Sequence, residues 1–340
     1  LTGSNSKIRS PSHYALAEFE LNTLTRLRAR GVIDTITGMT PTGAPAPAGS
    51  DEVPLTELED ERRALVADIS RVFGESTTAR LEFAYSDEDD YLSRGYAATL
   101  VQDFNQKNTQ LQLGFSYIDD AIRVGETRPK LSRDFLVGVT QLLDRNTTLT
   151  ANFSFGRTRG YLTDPYKLVQ KSIELAPGLP LDLTFPENRP DEREKGILYL
   201  QLVRMFENVR GTIDLSYRYL DDDWGLESDT LELSWLQRFG SEWILQPFAR
   251  YYAQNAADFY IYDLNTSPIV PVANPTAADP FYSSDYRLSE FDATTLGVKL
   301  IYQVQDRWSL DLTYERYDMH GRDGITPQSA YATANVVSIG

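Results

Sequence analysis

Residues 109–117 read TQLQLGFSY. Leu111, Leu113, Phe115 and Tyr117 take alternate positions, with Gln110, Gln112, Gly114 and Ser116 between them. Successive side chains of a strand point to opposite faces, so this alternation marks a strand with one apolar and one polar face. The same pattern recurs on both sides. Upstream, Ala79, Leu81, Phe83 and Tyr85 enclose Arg80 and Glu82. Downstream, Leu149, Ala151, Phe153 and Phe155 alternate with Thr150, Asn152 and Ser154. Ile213, Leu215, Tyr217 and Tyr219 alternate with Asp214, Ser216 and Arg218, and Trp308, Leu310, Leu312 and Tyr314 with Ser309, Asp311 and Thr313. Less regular stretches at residues 65–69, 135–139, 231–235, 245–251 and 296–302 fill the gaps. With a first strand near residues 25–37 and a last at 331–339, the pattern predicts about 14 strands, many near the roughly ten-residue length of a membrane-spanning strand.

The connections carry the next signal. Short turns are expected at Gly74-Glu75, Gln106-Lys107, residues 144–146, Glu207-Asn208, Gly240-Ser241 and Gln305-Asp306. Between them fall longer links at residues 38–61, 87–90, 119–129, 157–191, 221–225, 254–288 and 319–328. Short and long alternate along the chain, the asymmetry of an up-and-down barrel with short periplasmic turns and long extracellular loops. Aromatic residues gather near strand ends: Tyr85, Tyr117, Phe155 and Tyr219 by the long links, Trp235, Phe239, Trp243 and Trp308 by the short turns. Two such belts suit the two interfaces of a bilayer. The expected fold is therefore all-β: an up-and-down antiparallel transmembrane β-barrel over residues 21–340, in the outer membrane of a Gram-negative bacterium. Residues 1–20 are expected to form an N-terminal periplasmic segment. The alternative is a soluble sandwich or propeller whose apolar faces pack inward.

Composition sets limits. The 340 residues carry 49 acidic and 33 basic side chains, a net charge of −16. An acidic balance argues against nucleic-acid binding, which wants a basic face. With no cysteine, the chain has no disulfide, thiolate zinc site or iron–sulfur cluster, and its two histidines are too few for a His-rich metal site. No run of about 18 apolar residues exists to form a transmembrane helix. No basic-then-apolar leader opens the sequence, so any signal peptide is expected to be already removed.

If the apolar face is outside, the polar face lines a lumen. Counting back from the turns predicts that Asp68 faces Arg80, Glu232 faces Arg250 and Lys299 faces Asp311, with Glu82 on the same face. Opposite charges across a strand pair contribute roughly 0.2–1 kcal/mol each. Such a wall holds the barrel's shape or tunes its selectivity. Arg26, Arg28 and Arg30 form a one-sign stripe that suits an anion or acidic partner. Fourteen strands about 4.8 Å apart, tilted about 40°, give a backbone diameter near 28 Å and a bore of roughly 15 Å or less.

Acidic runs recur at the long-link end: Asp87, Glu88, Asp89 and Asp90, then Asp221, Asp222 and Asp223. Clustered carboxylates supply the oxygen ligands that calcium takes, although the spacing is not that of an EF-hand loop. Solvation and repulsion of nonspecific contacts account for the same runs without a metal. Aromatic loop residues, namely Tyr161, Asp164, Pro165 and Tyr166 in one link and Phe259, Tyr260 and Tyr286 in another, are candidates for binding or for folding back. No nucleophile–base pair or phosphate-cradling glycine loop is present, so no catalytic residue is assigned.

The loop motifs occur in a recognisable order: DTITGMTPTGA at residues 34–44, SDEDDYLSRGY at 86–96, GYLTDPYK at 160–167, PENRPDER at 186–193, YRYLDDDWG at 217–225, RYYAQNAADFY at 250–260 and FYSSDYRLS at 281–289. Together they resemble the bacterial domain-of-unknown-function family 3570 over nearly the whole chain. The resemblance implies an outer-membrane barrel whose genes neighbour a flavin transferase, a thioredoxin-like protein and a small lipoprotein. It implies as partners outer-membrane lipid and lipopolysaccharide, and a small lipoprotein or a redox protein (a cytochrome or flavoprotein). It supplies no catalytic residue. The implied role is a conduit or scaffold in an extracytoplasmic redox, flavin-linked or transport assembly. A general diffusion porin is the alternative, and a surface enzyme a more remote one. Barrels of this kind end in an aromatic residue, whereas this chain stops at Ile339-Gly340, so a few further residues are expected.

Overall fold

The computed structural model describes residues 12–47, 49–304 and 308–340. The expected turn at Gln305-Asp306 and residues 1–11 of the expected N-terminal segment lie outside these. Fifteen strands form one antiparallel sheet: β1 (Ser12–Asn22), β2 (Thr25–Pro41), β3 (Leu55–Phe73), β4 (Thr77–Asp87), β5 (Tyr91–Phe104), β6 (Thr109–Ile122), β7 (Arg128–Asp144), β8 (Thr147–Gly160), β11 (Glu192–Phe206), β12 (Gly211–Asp222), β13 (Glu227–Phe239), β14 (Trp243–Gln254), β15 (Phe291–Val304), β16 (Trp308–Gly321) and β17 (Thr333–Ile339). Each strand pairs with its neighbours in sequence, with no crossover. Between β8 and β11, β9 (Leu168–Ala176) and β10 (Leu179–Pro186) make a separate hairpin. Among the described residues no helix is long and apolar enough to cross a membrane, which does not bear on crossing by strands.

Several expected boundaries need correction. Residues 12–20, placed in an N-terminal segment, belong to β1 and pair with β2. The sheet thus holds fifteen strands, not an even number near fourteen. β1 escapes the alternation rule because it has apolar side chains on both faces: Tyr14 and Leu16 on one, Phe19 and Leu21 on the other. The link expected over residues 38–61 shrinks at both ends, since β2 runs to Pro41 and β3 starts at Leu55. Glu57, Glu59 and Glu61 on alternate positions give that start a loop-like composition. The long links expected at residues 87–90 and 221–225 are observed as residues 88–90 and 223–226, no longer than the turn at 207–210.

The two faces of the sheet differ sharply. Leu81 is 61% exposed, Phe153 53% and Leu113 43%, while Asp68, Ser216 and Thr230 on the other face are under 9%. A curled sheet crowds the side chains on its concave side, so the polar face is the inner one. On the outer face aromatic rings pair across strands, as Phe115 does with Phe135 at 4.9 Å between ring centres. Trp243 and Trp308 stand exposed at the short-turn end.

The buried apolar clusters sit at the long-link end. Val53 packs with Phe291, Ala293, Met319, Ala330 and Tyr331. Trp224, Leu226, Ala257, Phe259 and Leu288 form a second cluster, and Val169, Leu264 and Tyr282 a third. The first cluster also reports the curl. The Val53 amide donates to Ser329 Oγ at 3.2 Å, and Ser329 Oγ donates to the Asp51 carbonyl at 2.5 Å. These bonds join the β2–β3 link to the β16–β17 link, from near opposite edges of the sheet.

That hydrogen bond brings residues 53 and 329 into contact, and a disulfide forms where two α-carbons come within roughly 4.4–6.8 Å. A double variant, Val53→Cys with Ser329→Cys, should therefore form a disulfide on mild oxidation of this otherwise cysteine-free chain. A gel-mobility shift reversed by reductant reads it. Two free thiols after oxidation would show that the edges lie apart.

Candidate functional site

The inner wall is a field of ion pairs. Glu232 and Arg250 stand directly opposite, with Arg250 Nε 2.9 Å from Glu232 Oε1. The other two expected pairings are displaced by two residues. Asp68 faces Glu82, and Arg80 faces Ser70. Lys299 faces Thr313, and Asp311 faces Ile301. The turn at residues 74–76 sets Phe73 opposite Thr77, which shifts every later pair from the count. Long side chains still reach across the diagonal: Arg80 Nε to Asp68 Oδ1 at 3.4 Å and Lys299 Nζ to Asp311 Oδ2 at 2.9 Å.

Asp68 is held mainly by Arg28 of β2, whose Nε lies 2.9 Å from Asp68 Oδ2. The arginines therefore do not make a one-sign stripe. β1 sets Glu18 opposite Arg28 and Glu20 opposite Arg26, with Arg26 Nη2 3.4 Å from Glu20 Oε1. Arg30 lies between Leu16 and Val66.

The two acidic runs meet different fates. Asp87 pairs with Arg123 at 2.9 Å, and the Asp89 amide donates to Asp60 Oδ1 at 3.2 Å. Glu88 and Asp90 join Asp60, with carboxylate oxygens all within 4.8 Å of one another. Asp60 sits in β3 and was not part of the expected set. These are three carboxylates, each bringing one oxygen into the cluster, where calcium takes six to eight oxygen ligands, and Tyr166 already donates to Asp90. Burial, and then the neighbouring Asp60, push the Glu88 carboxyl up to about 7. In the second run, Asp222 accepts from Arg193 Nε at 2.7 Å and from the Trp224 and Leu226 amides at 3.0 and 2.9 Å. Asp223 accepts from the Glu194 amide at 2.9 Å. Two of the run's three carboxylates thus fasten a turn.

The candidate loop residues hold loops to each other. Tyr161 lies beneath the Arg128 guanidinium, 4.6 Å from ring centre to carbon. Phe259 meets Trp224 edge-on at 5.1 Å. Tyr260 shares a 2.5 Å hydrogen bond with Thr326, and Tyr286 stacks edge-on against Tyr331. Pro165 precedes Tyr166, the exposed member that reaches Asp90. Asp164 pairs with Arg287.

Sequence reading missed the centre of this assembly. Glu187 and Asp285 are almost wholly buried, with Arg189 between them. Arg189 Nη2 donates to Glu187 Oε2 at 3.1 Å and to Asp285 Oδ2 at 2.8 Å. Ser283 Oγ and the Asp164 amide also donate to Glu187, at 2.5 and 2.7 Å. Burial alone raises the Asp285 carboxyl, but the Arg287 hydrogen bond and the charges of Arg287, Arg189 and Lys167 outweigh it and bring it down to about 2. Burial lowers the Lys167 ammonium. Lys167 donates to Thr40 Oγ1 at 3.2 Å and to the Pro41 carbonyl, at the end of β2. The Leu168 amide donates to the Thr42 carbonyl at 2.8 Å, and Ser284 Oγ to the Leu168 carbonyl at 3.0 Å. Gly43 fits here alone: its φ is +91°, and a Cβ would come 2.7 Å from Ser284 Oγ. The links after β2, β8 and β14 thus meet over the long-link end as one cap. Two of the quoted motifs, PENRPDER and FYSSDYRLS, contain its key charges.

The sequence matches DUF3570, a family of proteins of unknown function, over residues 4–132 and 126–336. No curated protein matches it. Among solved structures it is similar to the siderophore receptor PirA from Pseudomonas aeruginosa, with 12% identity and a TM-score of 0.52, covering 93% of this chain and 53% of that one. It is likewise similar to the ferric enterobactin receptor PfeA from Pseudomonas aeruginosa (11%, 0.52, covering 99% and 57%). The alcaligin outer-membrane receptor FauA from Bordetella pertussis gives 11%, 0.51, 92% and 54%. The chain spans about half the length of these receptors, and at such identity the likeness shows the fold alone.

Removing one partner of a buried ion pair costs about 3–5 kcal/mol, because it leaves the other charge unpaired. Arg189→Met should accordingly open the cap: protease cuts should appear within residues 161–191 and 255–290 while the strands stay protected. An unchanged digestion pattern would show that the cap does not depend on this network. Glu88 makes a second prediction. Its pKa is raised in the folded protein from 4.5 to about 7, so its contribution to loop order is full below 4.5 and is lost as pH rises through 7. Amide exchange at residues 88–91, in chelator-treated buffer, should speed up over that window beyond the intrinsic pH effect. Glu88→Gln should abolish the excess.

Proposed function

The chain belongs to the DUF3570 family, and from that membership and the outer-membrane-receptor fold we propose that it is a closed outer-membrane β-barrel of a Gram-negative bacterium, capped at its outer mouth. One observation carries this reading. The exposed face of strand after strand presents large apolar side chains, from Leu81 and Leu113 through Phe135 and Phe153 to Leu231, Leu296 and Leu312. A monomeric soluble protein rarely exposes a contiguous apolar patch beyond roughly 300–600 Å². Lipid satisfies such a face, and the unbroken antiparallel ladder satisfies the backbone within it. Short turns then face the periplasm and the capped links face outward. β1 and β17 both run from the long-link end to the short-turn end, so direct closure makes one parallel seam and an antiparallel seam needs an intervening strand.

In this reading the barrel is a conduit or scaffold in a transport or extracytoplasmic redox assembly. The cap favours a gated path over an open diffusion pore. The chain has no cysteine and two histidines, so any redox centre belongs to a partner, for which a small lipoprotein, a cytochrome or a flavoprotein is the class suggested by family resemblance.

Facing and gating are tested separately. An arginine on the lipid face at mid-membrane costs about 2–4 kcal/mol, whereas a lumen arginine is tolerated. Leu113→Arg should impair assembly in membranes and Gln112→Arg should not; equal behaviour would refute the facing. In planar bilayers the unmodified chain should conduct little and Arg189→Met should conduct steadily. Steady large channels from the unmodified chain would favour the porin. Mild-detergent purification that repeatedly yields the barrel alone would count against the scaffold.

A further inference from the structure

The inner wall from β11 to β17 lines an open hollow of about 640 Å³. Two adjacent rows of directly opposed residues build it. One passes through Gln201, Ser216, Glu232, Arg250, Thr295 and Tyr317. The next passes through Asp214, Ser234, Phe248, Gly297 and Glu315. Its size falls within the roughly 300–1,000 Å³ of small-molecule sites.

The wall carries three carboxylates against one guanidinium. Arg250 is committed to Glu232 at 2.9 Å. Asp214 accepts two bonds from Gln201 Nε2, at 2.8 and 3.0 Å. Glu315 is different. Among the described residues its side chain makes no hydrogen bond or ion pair, although the residue is half-buried. A carboxylate in that state favours an incoming positive charge, because covering it without one costs its hydration.

The same wall is unusually aromatic for a polar face. Tyr199, Phe248 and Tyr317 all line the cavity. Phe248 is there by design of its neighbour: a Cβ on Gly297 would lie 2.2 Å from Phe248 Cζ, so the ring rests on the glycine backbone. Gly297 is also the residue directly opposite Glu315, which brings the ring and the free carboxylate to one place. Aromatic faces attract cations, by roughly 0.5–1 kcal/mol where exposed and about 2 where desolvated. An anion meets a net negative lining whose one arginine, Arg250, is engaged by Glu232, while Arg218, opposite Tyr199 and without an ion pair, lies outside that lining.

We propose that this cavity binds a small organic cation, an ammonium group on an apolar body, with Glu315 as the charge partner and Tyr199, Phe248 and Tyr317 as the walls. The proposal deepens the barrel reading by giving its lumen a class of solute.

The test is calorimetric titration of the full purified chain in detergent with choline, and with its uncharged isostere 3,3-dimethylbutan-1-ol. Choline should bind, and the isostere at least about tenfold more weakly, a factor worth about 1.4 kcal/mol. Glu315→Gln should weaken choline about tenfold and leave the isostere unchanged, by the same scale. Gly297→Val should weaken both by displacing Phe248, and circular dichroism checks that each variant keeps its sheet. Three results would overturn the site: equal binding of choline and isostere, full choline binding by a folded Glu315→Gln, or no choline binding by the unmodified folded chain. The titration reads the cavity whether or not the outer face meets lipid. Its failure is therefore distinguishable from failure of Leu113→Arg to impair assembly.

Discussion

The backbone ladder is the constraint on which the rest depends. Within the fifteen-stranded sheet every strand is hydrogen-bonded to the next, with the outer edges of β1 and β17 left over. Because the peptide groups are satisfied within the sheet, side chains on alternate positions can serve two unlike surroundings. That freedom explains an apolar outer face and a charged inner one on the same strand. It also explains why the net charge of −16 coexists with a broad apolar surface: the period-two rule hides one from the other when composition is averaged.

A polar inner face leaves the sheet without an oily interior, so packing has to be found elsewhere. It is found in the links. Three apolar clusters and the Glu187–Arg189–Asp285 network lie at one end, where loops from distant strands meet. Burying these charges is costly, and their geometry offsets the cost only while the set is complete. A device that is stable when complete and unstable when one member is withdrawn suits a closure better than a permanent wall.

How much of this was legible depends on the distance over which residues act. Strands β4, β6, β8, β12 and β16 were readable because alternation is local. β1 was not, since Tyr14 and Leu16 make one face apolar and Phe19 and Leu21 the other, and the β9–β10 hairpin was absorbed in a link. Register was readable only as well as the turns: Glu232 and Arg250 fell opposite, while Asp68 and Lys299 were off by two. The apparent arginine stripe failed for the same reason as β1, because the missed strand carries Glu18 and Glu20. The cap was out of reach, as Lys167 and Pro41 or Asp164 and Arg287 meet across more than a hundred residues. Its motifs were visible as motifs, without their partners.

The pairing of the inner wall has a consequence for selectivity. Opposite charges a few ångströms apart cancel beyond a short distance, so a wall dense in ion pairs presents little net field from them. What a passing solute meets is the residue of that cancellation. Among the described residues, Glu18, Arg30, Glu82, Arg218 and Glu315 of the inner face make no ion pair. Arg30 stands between aliphatic neighbours, Leu16 and Val66, with no aromatic group in its row. Glu315 stands with Phe248 and Tyr317 in the lining of one hollow. The number of charges on the wall therefore says less about what it binds than which ones are left unpaired, and in the hollow beside Phe248 and Tyr317 that one is Glu315.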